Sequence, residues 1–230
     1  MSQESLGSFL TAFKDILLDY LTLFLCNGAD DGGILFYSPV SSDVRTWITN
    51  KTINYCSPSD YDEDHIVLTQ KYNNIVSLLS LHYSNDIIGS LIQYKKYLTN
   101  DGSFLAIILG GETLTELKRC LIEVDMLKFG KIYPRIMPMI KPEVIPSLLQ
   151  RAEYKNSIIS VEKVTLYYDG IESLITDIKK AGQFNYLTDR YNGYAGKDYF
   201  PKAEELYLKF YGDDKRIPAT FEFIIMHSLA

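Results

Sequence analysis

His82 follows directly on the most apolar run of the chain, Ile75 to Leu81. A histidine placed after a buried parallel strand stands where such sheets open to their ligands, and its imidazole titrates near neutral pH, so it could serve as a general base. Packing within the turn is the alternative role. Cys56 closes another apolar run, Thr52 to Cys56, as either a reactive thiol or a small packing residue. Arg135, Arg151 and Arg190 could each grip a carboxylate through two parallel N–H bonds; surface solvation is the alternative for each. Arg190 lies in a stretch rich in Tyr, Gly and Asn, residues 184–199. There Tyr186, Tyr191, Tyr194 and Tyr199 either wall a pocket or pack a long loop. The acids between Asp60 and Asp64 read as a solvated turn and not as a metal cage.

Composition narrows the chemistry. The 230 residues carry a formal net charge of −6, which disfavours binding to nucleic acid phosphates. The three cysteines, Cys26, Cys56 and Cys120, are far apart and form no CxxC pair, so reduced thiols in a cytoplasmic protein are expected and no metal site. Ile16 to Cys26 is apolar but short and interrupted by Asp19, so no transmembrane segment is expected. Leu10, Phe13, Leu17, Tyr20, Leu21 and Phe24 instead make one face of a helix.

The elements that must position these groups alternate. Gly33 to Tyr37, Thr52 to Cys56, a weak run His65 to Thr69, Ile75 to Leu81 and Phe104 to Leu109 read as strands. Ser41 to Ile48 and Asp86 to Leu98 read as helices, and Thr99 to Gly102 as a turn. Strand, helix, strand at this spacing predicts right-handed parallel crossovers in a doubly wound α/β sheet. Further on, Glu112 to Met126 reads as a helix with Thr113 and Glu116 as a capping box. Pro142 opens a helix to about Ala152. Ile158 to Tyr168 reads as a strand. Asp169 and Glu172 could cap a helix that stops at Gly182. A helix from about Pro201 to Tyr211 and a strand from Phe221 to Met226 finish the chain.

Particular words carry a resemblance. They are Ser80-Leu81-His82-Tyr83-Ser84-Asn85-Asp86, Leu98-Thr99-Asn100-Asp101-Gly102-Ser103-Phe104, Gly110-Gly111-Glu112-Thr113-Leu114 with Glu116-Leu117 and Arg119, Leu148-Leu149 with Arg151-Ala152, Tyr168 with Gly170, and Ile217-Pro218-Ala219-Thr220-Phe221. In this order and spacing, over roughly residues 75–230, the chain resembles class I S-adenosylmethionine-dependent methyltransferases. It is most similar to the BioC group, which holds malonyl-acyl-carrier O-methyltransferases of biotin synthesis and complex I assembly factors, one regarded as an arginine hydroxylase. The resemblance implies a Rossmann-like, mostly parallel sheet with a late antiparallel strand and a helical cap drawn from residues 112–152 and 184–212. It implies a single domain in three parts: a helical segment 1–32, a cofactor half 33–111, and a cap and C-terminal half 112–230.

The cofactor half departs from that pattern. A methyltransferase of this class has a Gly-rich turn after its first strand and an acid at the end of its second. Here the first turn reads Tyr37-Ser38-Pro39-Val40-Ser41-Ser42, without glycine, and the second strand runs into Cys56-Ser57-Pro58-Ser59-Asp60. The resemblance places any S-adenosylmethionine against Tyr37, Ser38, Cys56, Ser57, Leu81 and His82, with weak or absent binding expected. It places substrate at Arg135, Tyr186, Arg190 and Tyr194, and catalysis at His82 or Arg190. Three functions are implied: methylation of a carrier-bound acyl acid, with acyl carrier protein as partner; an assembly factor or hydroxylase acting on a respiratory-complex subunit; or a cofactor-free relic that binds a protein.

Overall fold

A computed structural model describes residues 9–26, 34–37, 53–56, 66–68, 70–212 and 216–230. The helices are α1 (Phe9–Cys26), α2 (Ile87–Lys96), α3 (Thr115–Phe129), α4 (Ile145–Arg151), α5 (Ile171–Lys180) and α6 (Tyr199–Tyr211). The strands are β1 (Ile34–Tyr37), β2 (Ile53–Cys56), β3 (Tyr72–Leu78), β4 (Leu98–Leu109), β5 (Lys155–Tyr168) and β6 (Ile217–Leu229). They form a sheet in the order β2-β1-β3-β4-β6-β5. β1 runs parallel to both β2 and β3, β3 runs parallel to β4, and β6 runs antiparallel to β4. This is the α/β, mostly parallel sheet with a late antiparallel strand that the sequence predicts.

The chain forms two compact units. The sheet unit holds residues 13–111, 140–162 and 223–230; the loop unit holds residues 1–12, 112–139 and 163–222. In the sheet unit, the period-two alternation of β4 and β6 separates two apolar faces. Phe104, Ala106 and Ile108, with Ile224 and Met226, share one buried cluster with Leu91 and Tyr94 of α2 and Ile145 and Leu149 of α4. Phe223 faces the other way, and Phe13 of α1 stacks on it at 6.1 Å between ring centroids. Helices thus cover both faces. The α1 stripe is the expected one: Phe13, Leu17, Leu21 and Phe24 are buried. Residues 140–152, expected in the cap, belong to the sheet unit, because Ile145 and Leu149 complete its core.

Several local expectations give way to tertiary bonds. Thr99 to Gly102 does not leave the sheet as a turn. Tyr72 pairs with Leu98 and Asn74 with Ser103, so β4 accommodates the extra residues as an irregularity in its ladder. The Thr99 hydroxyl donates to Asn73 Oδ1 at 3.0 Å, and the Ala230 N–H donates to the Gly102 carbonyl at 3.0 Å, which ties the segment in. Residues 66–68 form no strand; the Ile66 N–H donates to Gln93 Oε1 of α2 at 2.7 Å. The expected helix Ser41 to Ile48 lies outside the described residues. Asp86 caps α2, its Oδ1 accepting from the Gly89 N–H at 2.9 Å.

In the loop unit the expected capping box is absent. Thr113 Oγ1 donates to the Glu222 carbonyl and accepts from the Glu222 N–H, at 3.2 and 3.1 Å, and Glu116 accepts from the Thr220 N–H and hydroxyl. Both side chains lock the start of α3 to β6 and leave no side-chain cap on α3. Asp169 and Glu172 do not cap α5 either. Glu204 of α6 accepts from the Ile171 N–H at 2.8 Å.

Candidate functional site

In an open α/β sheet, ligands bind outside the carboxyl ends of the strands where the strand order reverses. Here that place lies between β1, which continues to β2 on one side, and β3, which continues to β4 on the other. The register sets three strand ends level: Tyr37 is opposite Cys56 on β2 and opposite Ser77 on β3. Tyr37 and Cys56, two of the predicted cofactor contacts, are therefore neighbours at one sheet edge. Ser38 and Ser57, which follow them, lie outside the described residues.

The chain leaves β3 through a tight device. Leu79, fully buried, sits at φ +51, a left-handed conformation that a branched side chain adopts at a cost of about 1–3 kcal/mol. Its N–H donates to the Ile107 carbonyl at 2.7 Å, and Ser77 and Ser80 join hydroxyls at 3.0 Å. A short 3-10 turn, Leu81–Tyr83, follows and buries Leu81 and His82. The His82 ring lies 4.3 Å from that of Tyr83. His82 is 4% exposed, so its imidazole is a wall of this turn more than an open base.

The loop unit holds the predicted substrate residues. Asp125 on α3 is fully buried. Its carboxylate accepts from Arg135 Nε and Nη2, the closest contact 2.7 Å, from the Tyr133 N–H at 3.2 Å, and from the Tyr199 hydroxyl at 2.8 Å. The Arg135 guanidinium lies 4.2 Å from the Tyr191 ring centroid and 4.5 Å from that of Tyr199, with Phe129 and Tyr133 nearby. Burial works against its charge, but the bonds to Asp125 outweigh burial and raise its pKa. Burial, then the bond to Asp125, raises the Tyr199 hydroxyl too. Arg135 is thus spoken for: it clasps the Pro-containing loop after α3 to the Tyr-rich loop before α6. Asn185 adds a second tie, its Nδ2 donating to the Pro134 carbonyl at 2.8 Å.

Three predicted residues stand on the outside of the Tyr-rich loop. Arg190 is exposed, and its Nη1 donates to the Leu187 carbonyl at 2.9 Å. Tyr186 and Tyr194 are exposed as well, Tyr186 edge-on to Phe184. The structure therefore groups the predicted site residues in two places, His82, Tyr37 and Cys56 in the sheet unit and Arg135, Tyr186, Arg190 and Tyr194 in the loop unit. The residue that sequence reasoning missed is Asp125. Leu117, Leu121, Val124 and Asp125 share one helical face, so an acid on that otherwise apolar stripe required a buried cationic partner.

Among the described residues no three His, Cys, Asp or Glu side chains gather as a metal cage, and no helix is long and apolar enough to cross a membrane. Burial pushes the Cys120 thiol up to about 11.

Comparison with known proteins places this geometry. No protein-family profile matches the chain. The mitochondrial arginine-hydroxylase NDUFAF5 of Dictyostelium discoideum is 35% identical over 159 residues, 68% of this chain and 36% of that protein. A malonyl-[acyl-carrier protein] O-methyltransferase of Laribacter hongkongensis is 27% identical over 152 residues, 66% of this chain and 49% of the enzyme. The chain thus spans about a third to a half of the length of these two relatives. Among solved structures, a candidate methyltransferase of Bacillus halodurans superposes with a TM-score of 0.60 at 9% identity, covering 94% of this chain and 98% of that one. A Haemonchus contortus phosphoethanolamine N-methyltransferase in complex with S-adenosylhomocysteine superposes with a TM-score of 0.51 at 11% identity, covering 94% of this chain and 52% of that one. By its fold and its relatives, the chain belongs to the class I methyltransferase superfamily.

Proposed function

We propose that this chain is an assembly factor of the NDUFAF5 kind, which escorts or modifies a respiratory-complex subunit and binds S-adenosylmethionine weakly or not at all. The observation that carries this reading is the end of β1. The strand stops at Tyr37, level with Ser77, and the sequence that follows it is the glycine-free Ser38-Pro39-Val40-Ser41-Ser42. Compared with a Gly-rich turn, this sequence carries a side chain at every position and lacks the N–H of Pro39, which works against close approach of a methionine end. The glycine-free sequence supports the reading of weak or absent cofactor binding. The sequence kinship with an arginine hydroxylase supports a protein partner.

Calorimetry with S-adenosylmethionine and S-adenosylhomocysteine tests this directly. Millimolar or undetectable binding is expected; a sub-micromolar dissociation constant overturns it. Partner binding runs through the outer face of the Tyr-rich loop. Arg190→Ala should weaken capture of the subunit by about tenfold or more, since a charge-assisted bond in a desolvated contact is worth about 2–5 kcal/mol. Its melting temperature should barely move, because the residue is exposed. An Arg190→Ala protein that unfolds while binding is unchanged would make the residue structural.

A second reading is methylation of a carrier-bound acyl acid, favoured by the kinship with the malonyl-carrier enzyme. Its signature is methyl transfer from labelled S-adenosylmethionine to malonyl-acyl carrier protein, which the first reading does not produce.

A further inference from the structure

The sheet unit has a second opening, where the parallel strands β3 and β4 enter the sheet, at the end away from the crevice. Between the pairs Tyr72–Leu98 and Asn74–Ser103, β3 has one residue, Asn73, while β4 has four, Thr99 to Gly102. This irregularity borders a cavity of 660 Å³, within the range of about 300–1,000 Å³ usual for small-molecule sites. Asn156 of β5 lines the same cavity from a left-handed backbone, φ +49. Phe24 of α1, buried, and His227 of β6, half-buried, line it edge-on to each other, 5.2 Å between centroids. Every described lining residue belongs to the sheet unit.

The lining has the chemistry of a receptor for hydroxyl groups. The Thr99 hydroxyl donates to Asn73 Oδ1 at 3.0 Å, and the Ser103 hydroxyl donates to Asn74 Oδ1 at 2.7 Å. Both have spent their protons, so Thr99 and Ser103 offer the cavity only oxygen lone pairs. Asp101, the one charged side chain among the described lining residues, accepts only as well. Among the described residues no hydrogen bond occupies the side chains of Asn100, Asp101 or Asn156. A ligand must therefore donate several protons. It must also carry no negative charge, since no lysine or arginine is among those lining residues. The amides of Asn100 and Asn156 and the neutral His227 ring, whose pKa burial lowers, donate as well as accept. A hydroxyl answers both roles; an ammonium group only donates. Phe24 and Ile158 add apolar surface for C–H groups.

We propose that this cavity binds an uncharged sugar ring, free or as the ribose of a nucleoside, whose neighbouring hydroxyls donate to Asp101, Thr99 and Ser103. The site lies away from the crevice and is independent of the function proposed above.

The chain has three histidines, and NMR of their rings reports where a ligand lands: His227 lines this cavity, and His82 follows β3 at the crevice. His227→Gln assigns the His227 signals by their loss. Adenosine or ribose, titrated into the whole chain, should move those signals saturably and leave those of His82 in place. Shifts with ribose assign a free sugar; shifts with adenosine alone assign a nucleoside. A phosphate on whichever binds, as ribose 5-phosphate or AMP, should weaken binding by about tenfold or more, for want of a cation to pair it. Asp101→Asn, at an exposed position, should also weaken binding by about tenfold or more, because a neutral acceptor replaces a charged one. Asn156→Gly suits the φ of that position, so it should hold or raise the melting temperature while weakening binding. It decides the matter if Asp101→Asn fails to fold. The proposal is overturned if neither adenosine nor ribose moves the His227 signals, or if those of His82 move instead. It is overturned equally if spermidine moves them and the sugars do not, if the phosphorylated form binds as tightly as the plain one, or if the folded variants bind like the wild type.

Discussion

The turn after β3 and the loops around Asp125 both hold a reversal of the chain, one with backbone and hydroxyls, the other with buried charge. After β3, a strained Leu79 and the Ser77–Ser80 pair aim a buried His82. After α3, one fully buried carboxylate collects an arginine, a tyrosine hydroxyl and a backbone N–H. The neutral device loses about what one hydrogen bond contributes when a partner is removed. The charged device leaves an uncompensated ion in a dry place. The loop that carries Tyr186, Arg190 and Tyr194 is thus the more brittle of the two regions, although its surface is open.

The largest expected effect breaks that contrast where it is strongest. Asp125→Ala strands Arg135 among four aromatic rings and should cost about 3–5 kcal/mol in urea unfolding. Tyr199→Phe removes one donor only and should cost about 1–2 kcal/mol. If Asp125→Ala costs no more than Tyr199→Phe, the carboxylate is not the hub of the loops. Ser80→Ala, in the neutral device, should cost about 1 kcal/mol, and adding Ser77→Ala should add much less than a second full bond because the two hydroxyls share one. A cost for Ser80→Ala as large as that of Asp125→Ala would erase the difference between the regions.

The smallest effect is a pH slope in the sheet unit. His227 lies edge-on to Phe24 at 5.2 Å, and burial lowers its pKa below the ordinary value. The folded protein therefore favours the neutral ring, while the unfolded chain takes up a proton first as pH falls. The stability due to His227 is complete above about pH 6.5 and is lost as pH falls from there through the folded pKa. Urea midpoints measured on both sides of that value should show the decline, and His227→Gln should flatten it. An unchanged slope in that variant would assign the titration to other groups.

Much of the fold was legible because short-range pattern and burial agree there. The stripe Phe13, Leu17, Leu21 and Phe24 reads as a helix from spacing alone, and Ile75 to Leu78 reads as a doubly covered strand from its lack of polar alternation. The words from Gly110 to Leu114 and from Ile217 to Phe221 are among those on which the resemblance to the methyltransferase class rests. What the sequence alone did not decide is where polar side chains spend their bonds. Thr113 and Glu116 have the spacing of a capping box, but Glu222 and Thr220 stand across from them and take their bonds. Thr99 to Gly102 have the residues of a turn, but Asn73 and Ala230 draw them into the ladder. Arg135 has the chemistry of a carboxylate receptor, and its carboxylate is Asp125, ten residues back on α3. The reason is common to all three. Local propensity is worth a few tenths to about 1 kcal/mol, while leaving a buried donor or acceptor unpaired costs about 1–3 kcal/mol, so the tertiary neighbour, which only the folded chain supplies, decides.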